Sequence, residues 1–206
     1  MKKIKTIIFL IILLTFSCKQ KEQKDLDKNQ SQIDSINLNE KIHKSELSLF
    51  LENPIDLINY KKGKTDWTSS GGTSGFLYYF NPQKENGMYY NYYYPNDNSS
   101  PINFDNLVVY KIDKNKYYND NSDRLIEMNI FSKDSILKKA DLVGLKTSQI
   151  ETKYGKENFR IDNDFIFFIE NKLLILTIKN DEIDSYKYLR LNTDKIDKEL
   201  IKKIKN

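Results

Sequence analysis

The sequence predicts an α+β fold: an antiparallel β-meander sheet with short helices packed on one face and an amphipathic C-terminal helix. Three observations predict it. Apolar clusters with helical spacing and candidate caps occupy residues 45–60 and 134–155. Aromatic and aliphatic runs of strand length fill much of 76–131 and 165–189, punctuated by Asn-, Asp- and Gly-containing turn signals. The last fourteen residues carry an apolar stripe in a polar background. Helices followed by runs of strands, rather than strict alternation of the two, read as α+β with antiparallel pairing.

Taken in order, Ser45 is a candidate N-cap for a helix bearing Leu47, Leu49, Phe50 and Leu51, and Pro54 separates it from a second helix ending near Tyr60. Residues 61–75 read as loop, closing on Thr68-Ser69-Ser70-Gly71-Gly72-Thr73-Ser74-Gly75. Phe76–Phe80 and Met88–Tyr94 read as aromatic strands joined across Asn81-Pro82 and Asn86-Gly87. Leu107–Ile112 and Leu125–Phe131 are two further strands. Asp134 or Ser135 opens a short helix to Ala140, and Thr147 or Ser148 opens another that Gly155 ends. Phe165–Glu170, Leu173–Lys179 and Ile183–Leu189 are strands linked by tight turns at Asn171 and Asn180-Asp181. Thr193 or Asp194 caps a terminal helix whose stripe is Ile196, Leu200, Ile201 and Ile204. Helices followed by a strand meander thus occur twice, so a single domain of 45–206 divides into subunits 45–131 and 132–206.

The N-terminus carries a different kind of information. Lys2, Lys3 and Lys5 precede an uncharged run from Thr6 to Phe16, followed by Ser17-Cys18. A basic start, a short apolar stretch and a small residue before the cut are the parts of a secretory signal. Eleven helical residues reach about 17 Å, short of a hydrocarbon core of about 30 Å. Leu14-Thr15-Phe16-Ser17-Cys18 resembles the lipobox of bacterial lipoproteins, with small Ser17 next to the chain's one cysteine. Thr15 and Phe16 stand where the usual box has an aliphatic and a small residue, a looser form similar to flavobacterium-type boxes. The 30 Lys against 3 Arg, with 22 Asn and 25 Ile, agree with an AT-rich source of that kind.

The resemblance implies a signal peptide over 1–17, a diacylglyceryl thioether on Cys18 and an acylated new N-terminus. The implied partner is the membrane, held through the lipid anchor at Cys18. One acyl chain binds a bilayer marginally; two or three hold it firmly. Lys19 rather than Asp after the cysteine implies the outer membrane, and the mixed Lys21-Glu22 and Lys24-Asp25 leave the leaflet open. Residues 18–44 are too polar to bury enough surface to fold and read as a tether of about 25–30 Å reach. Asp34-Ser35-Ile36 and Asp134-Ser135-Ile136 are similar to flavobacterium-type O-glycosylation sites, of which only Ser35, in the tether, is plainly accessible.

Composition removes several function classes. One Cys and one His cannot supply a disulfide or a Cys/His zinc site, and any Ser-His-Asp mechanism would rest on His43, read as a solvated side chain beside the tether. The formal charge is +4, but without residues 1–17 the balance is 30 basic to 29 acidic side chains, which points to no nucleic-acid partner. No cofactor motif is present; the Gly71-Gly72 loop lacks the Gly-Lys-Ser/Thr ending of a P-loop. Asn119–Asp123 lacks the Gly and Glu of an EF-hand and reads as a solvated turn. Asp162 with Asp164, and Asp181 with Glu182 and Asp184, are the carboxylates a glycosidase-type hydrolase would need, though turns place acids there for solubility. The lysines of the terminal helix read as a solvated border around a stripe that caps the sheet.

Met88-Tyr89-Tyr90-Asn91-Tyr92-Tyr93-Tyr94 is the most unusual segment. Tyr90, Tyr92 and Tyr94 are assigned to one face, and Met88, Asn91 and Tyr93 to the other. Tyrosine is enriched at interfaces, so Tyr90, Tyr92 and Tyr94 are a candidate binding surface, weighed against a core position for at least one face. A second resemblance lies in Gly144-Leu145-Lys146-Thr147-Ser148-Gln149-Ile150-Glu151-Thr152-Lys153-Tyr154-Gly155, which looks like the helix motif of the BamE/SmpA small outer-membrane lipoproteins. Gly144, Leu145, Ile150, Tyr154 and Gly155 hold its places over about 50 residues; Glu157 stands where that family usually has Pro. It implies a protein-contact fold with no catalytic residues. The functional expectation is therefore a lipid-anchored, non-catalytic envelope lipoprotein binding a protein or glycan. The alternatives are a carboxylate-dependent envelope hydrolase and an inhibitor or immunity lipoprotein.

Overall fold

The computed structural model describes residues 41–44, 46–72, 75–82, 87–95, 104–112 and 117–205. Cys18, Ser35, the signal and the tether up to residue 40 lie outside them. Residues 41–44, expected as the end of the tether, are helical, and His43 is half-buried rather than solvated.

Residues 44–206 form one unit. Helix α1 (residues 46–52) is followed by α2 (Leu57–Gly63), β1 (Thr68–Gly72), β2 (Met88–Tyr94), β3 (Asp105–Lys111) and β4 (Arg124–Ile130). A crossover then carries a 3₁₀ turn (Ser135–Ala140) and α3 (Thr147–Tyr154). Strands β5 (Phe159–Ile161), β6 (Asp164–Ile169), β7 (Lys172–Lys179) and β8 (Glu182–Arg190) follow, then α4 (Lys198–Lys205). All eight strands form one sheet in the order β1-β2-β3-β4-β8-β7-β6-β5, every pairing antiparallel. The order is two four-stranded meanders with their last strands, β4 and β8, joined at the centre. In strand order the two halves mirror each other about the antiparallel β4–β8 pairing.

Local chemistry explains the breaks. Asp56, Asp134 and Asp197 each accept a backbone N–H at the start of α2, the 3₁₀ turn and α4, satisfying donors that a first turn leaves open. The cap of α4 is therefore Asp197, not Thr193 or Asp194, and α4 begins two residues after Ile196, the first residue of its apolar stripe. Thr147 begins α3, where the Gln149 side chain accepts the Lys146 N–H. Gly144 and Gly155, the two glycines of the lipoprotein-like motif, both adopt positive φ, at 81° and 76°. The β7–β8 hairpin turns through Asn180 and Asp181 at φ 53° and 65°, the mirror-image turn that suits the twist of paired strands.

Two expectations are corrected. Phe76–Phe80 is not the hairpin partner of the tyrosine strand; it forms a turn with a single bridge, Tyr79 to Leu191. The partner of β2 is β1, drawn from the Ser/Gly run expected as loop. Small residues carry little strand propensity of their own, so β1 is held by backbone pairing to β2. The three-residue strand β5 was likewise not anticipated.

The sheet is covered on both faces. On one, Phe50, Leu51, Tyr60, Leu137, Ile150 and Tyr154 of the helical layer bury Tyr92, Tyr94, Leu107, Met128, Phe167, Leu174, Tyr186 and Tyr188. On the other, Ile196, Ile201 and Ile204 at α4 join Ile166, Leu173, Ile175 and Leu189. The 75–80 segment lies on that second face, where Tyr79 packs with Val108, Tyr110 and Ile126.

Candidate functional site

Tyr92 and Tyr94 are 2% and 0% exposed, and Tyr90 is half-buried. The candidate surface Tyr90, Tyr92 and Tyr94 is therefore a core face under the helices. Met88 belongs to that face too, since the Tyr90 hydroxyl reaches its sulfur at 3.9 Å; even-numbered residues of one strand share a side.

What the tyrosine strand covers is a buried ion cluster. Lys61 of α2 and Lys111 of β3 both donate to Asp123, and all three side chains are 1% exposed or less. The Lys111 Nζ lies 2.7 Å from Asp123 Oδ1 and 2.5 Å from the Tyr117 carbonyl; Lys61 also donates to the Tyr118 carbonyl. The Lys61 ammonium sits 5.0 Å from the ring centres of both Tyr92 and Tyr118, and Trp67 stacks on Tyr118 at 4.2 Å. Ring faces and carbonyls replace the water that two ammonium groups lose, while one carboxylate balances only one of them. Burial holds Lys61 below the usual lysine range against the opposing pull of Asp123. The cluster is closed to solvent and pins α2 and the 117–123 segment to the sheet. Asp123, expected on a solvated turn, is its centre; Asp120 holds that turn by accepting from Ser122.

The other face of β2 opens outward. Ser70 lies opposite Asn91, and Gly72 opposite Tyr89, so these four share one side of the sheet. Together with Val108 below and Gly75, Phe76 and Tyr79 opposite, they line a cleft of about 350 Å³. None of the described residues lining it is Asp, Glu, Lys, Arg or His. Phe76 is 63% exposed at its rim and lies 5.2 Å from Tyr79 edge to face. Gly75 is required there: a Cβ would stand 2.6 Å from the Tyr79 ring and 3.1 Å from that of Tyr89.

A ladder of side-chain amides runs from this cleft across the sheet. Asn91 donates to the Tyr93 hydroxyl at 2.8 Å and accepts from Asn106 at 3.1 Å. Asn129 donates to Asn106 at 2.6 Å and to Glu127 at 2.5 Å. Glu127 in turn accepts from the Tyr79 hydroxyl at 2.5 Å and lies 3.5 Å from the Lys187 ammonium. Burial, then the Glu127 charge, raises the pKa of the Tyr79 phenol and takes that of Tyr78 to about 12. Both stay neutral donors at physiological pH. The signal for this ladder was in the sequence: Asn91, Asn106 and Asn129 interrupt strands otherwise built of aromatic and aliphatic residues, where asparagine is disfavoured.

Of the acids considered for hydrolysis, Asp162 and Asp181 line one cleft with Glu151 and Arg160, and Glu182 and Asp184 are exposed. Asp164 is buried against Lys205 at 2.6 Å, Asp181 accepts from the Thr147 hydroxyl, and Asp162 is 84% exposed. Among the described residues no three His, Cys, Asp or Glu side chains gather as a metal site, and no helix is long and apolar enough to cross a membrane. No family model, no curated protein and no solved structure matches this chain.

Proposed function

We propose that this chain is a lipid-anchored cell-envelope lipoprotein of non-catalytic binding type, attached to the outer membrane through Cys18. Its cleft between β1 and the 75–79 segment is the seat for a protein or glycan of the envelope. The anchoring half of the reading rests on the sequence, where the only cysteine closes the only long apolar run. The observation that carries the binding half is the cleft itself, rimmed by an exposed aromatic ring and floored by an amide and a hydroxyl. Pockets of this make-up, mostly apolar with a few placed polar groups, are where ligands seat. With no Asp, Glu, Lys, Arg or His among its described lining residues, the cleft is read as a seat for recognition rather than for proton transfer.

The test is site-specific photo-crosslinking in intact cells. A photoreactive residue at position 76 is expected to give a discrete membrane-fraction adduct, and the same residue at exposed Leu49 on the helical layer is expected to give none. Equal patterns from the two positions would remove the cleft from the account.

A further inference from the structure

We propose that the cleft is a saccharide subsite taking one or two rings of a neutral glycan, with Phe76 as stacking platform and Asn91 and Ser70 as its polar contacts. This rests on the binding reading above and names its ligand class. Desolvation cost disfavours the other ligand classes. An anionic ligand would find no cation among the described lining residues and would sit beside Tyr79, whose hydroxyl is held by the Glu127 carboxylate, and an unpaired buried charge is costly. A wholly apolar ligand would strip water from the Asn91 amide and the Ser70 hydroxyl and return nothing. A pyranose ring presents C–H faces suited to an aromatic ring and an equatorial belt of hydroxyls.

Asn91 is prepared for that belt. It spends one N–H on Tyr93 and one lone pair on Asn106, which leaves the amide a second N–H and a second lone pair. Neighbouring hydroxyls of a sugar match such a donor–acceptor pair. The ladder behind it, anchored at Glu127, fixes which end of the amide is which. Gly72 and Gly75 keep the floor and wall free of side chains, and about 350 Å³ is at the small end for ligand pockets. That space suits a short stretch of a longer polymer continuing along the edge strand β1.

The experiment is calorimetric titration of the full acylated chain in a phosphocholine detergent, which carries no sugar. The probes are maltotriose and N,N′-diacetylchitobiose, with trigalacturonate as the acidic control. At least one neutral probe is expected to saturate by about 10 mM, and the acidic control is expected not to bind. Phe76→Ala and Ser70→Leu both alter exposed positions and leave the core intact, so their melting temperatures should hold while affinity falls at least about tenfold. No saturation by either neutral probe, or undiminished binding by both variants, overturns the proposal. The crosslink at position 76 separates this outcome from the broader reading. A protein adduct without sugar binding overturns the saccharide and keeps the binding role; sugar binding without envelope adducts does the reverse.

Discussion

Asp123 lies between two ammonium groups in the driest part of the molecule, and that asymmetry sets how its neighbours respond to mutation. Asp123→Asn leaves two buried cations facing each other with no carboxylate, and a loss of about 3–5 kcal/mol in urea unfolding is expected. Lys61→Met leaves Asp123 paired with Lys111 and removes the surplus charge, so a far smaller change is expected, even a gain in stability. Equal losses from the two variants would contradict the cluster described. Tyr92→Ala removes the ring that roofs Lys61, and the expected cost is about 3–5 kcal/mol with the position-76 crosslink preserved. The tyrosines were legible in the sequence as unusual, and their shared face as a consequence of alternation. A core position for one face was expected, but which face was not legible, because the charges these rings cover come from Lys61 and Asp123, dozens of residues away on segments that look like solvated loop. A polar pattern such as Asn119-Asp120-Asn121-Ser122-Asp123 gives no local sign that its last acid has long-range partners.

At the scale of elements, strong turn and cap signals were readable and weak strands were not. The strands from β6 to β8 carry dense aliphatic runs between two-residue turns, and these lie within a residue or two of their expected limits. β1 was missed because Thr68-Ser69-Ser70-Gly71-Gly72 has almost nothing to bury, and Gly71 packs only on the Tyr90 ring. Its existence is a property of β2. Some turns also hold residues in a costly conformation. Asp162 occupies φ 53° at the β5–β6 turn with its side chain 84% exposed. Asp162→Gly relieves that strain and is expected to raise unfolding free energy by about 0.5–1 kcal/mol net of glycine's own entropy. A loss of stability in thermal or urea unfolding would show that the Asp162 side chain matters more than its backbone.

The whole molecule is set apart by the number of phenols it buries. Tyr60, Tyr79, Tyr92, Tyr94, Tyr154, Tyr186 and Tyr188 all have pKa values raised by burial above the ordinary value of 10. The sign follows from linkage: the unfolded chain loses these protons from pH 10 while the folded chain keeps them. Stability is then full below pH 10 and falls above it, by as much as about 1.4 kcal/mol per pH unit for each phenol. Lys61 and Lys153 work the other way, because pKa values depressed by burial make stability rise with pH up to the unfolded value, but two lysines are outweighed by seven tyrosines. Cooperative alkaline unfolding between about pH 10 and 12 is expected by circular dichroism, accompanied by the absorbance of tyrosinate. Phenols that ionise near pH 10 without unfolding would contradict the burial.

The two halves, alike in strand order, differ in their outer faces. In the second half α4 covers the sheet; in the first, that side keeps an aromatic cleft and an amide ladder. Under the proposed N-terminal anchor, this cleft is the surface offered for recognition. The claim on which this account depends most is the anchor, and metabolic labelling with an alkyne fatty acid tests it directly, comparing wild type with Cys18→Ala. The account predicts that the wild-type chain takes up label and sediments with outer membrane while the variant does neither; equal labelling of the two, or an unlabelled wild type, would contradict it.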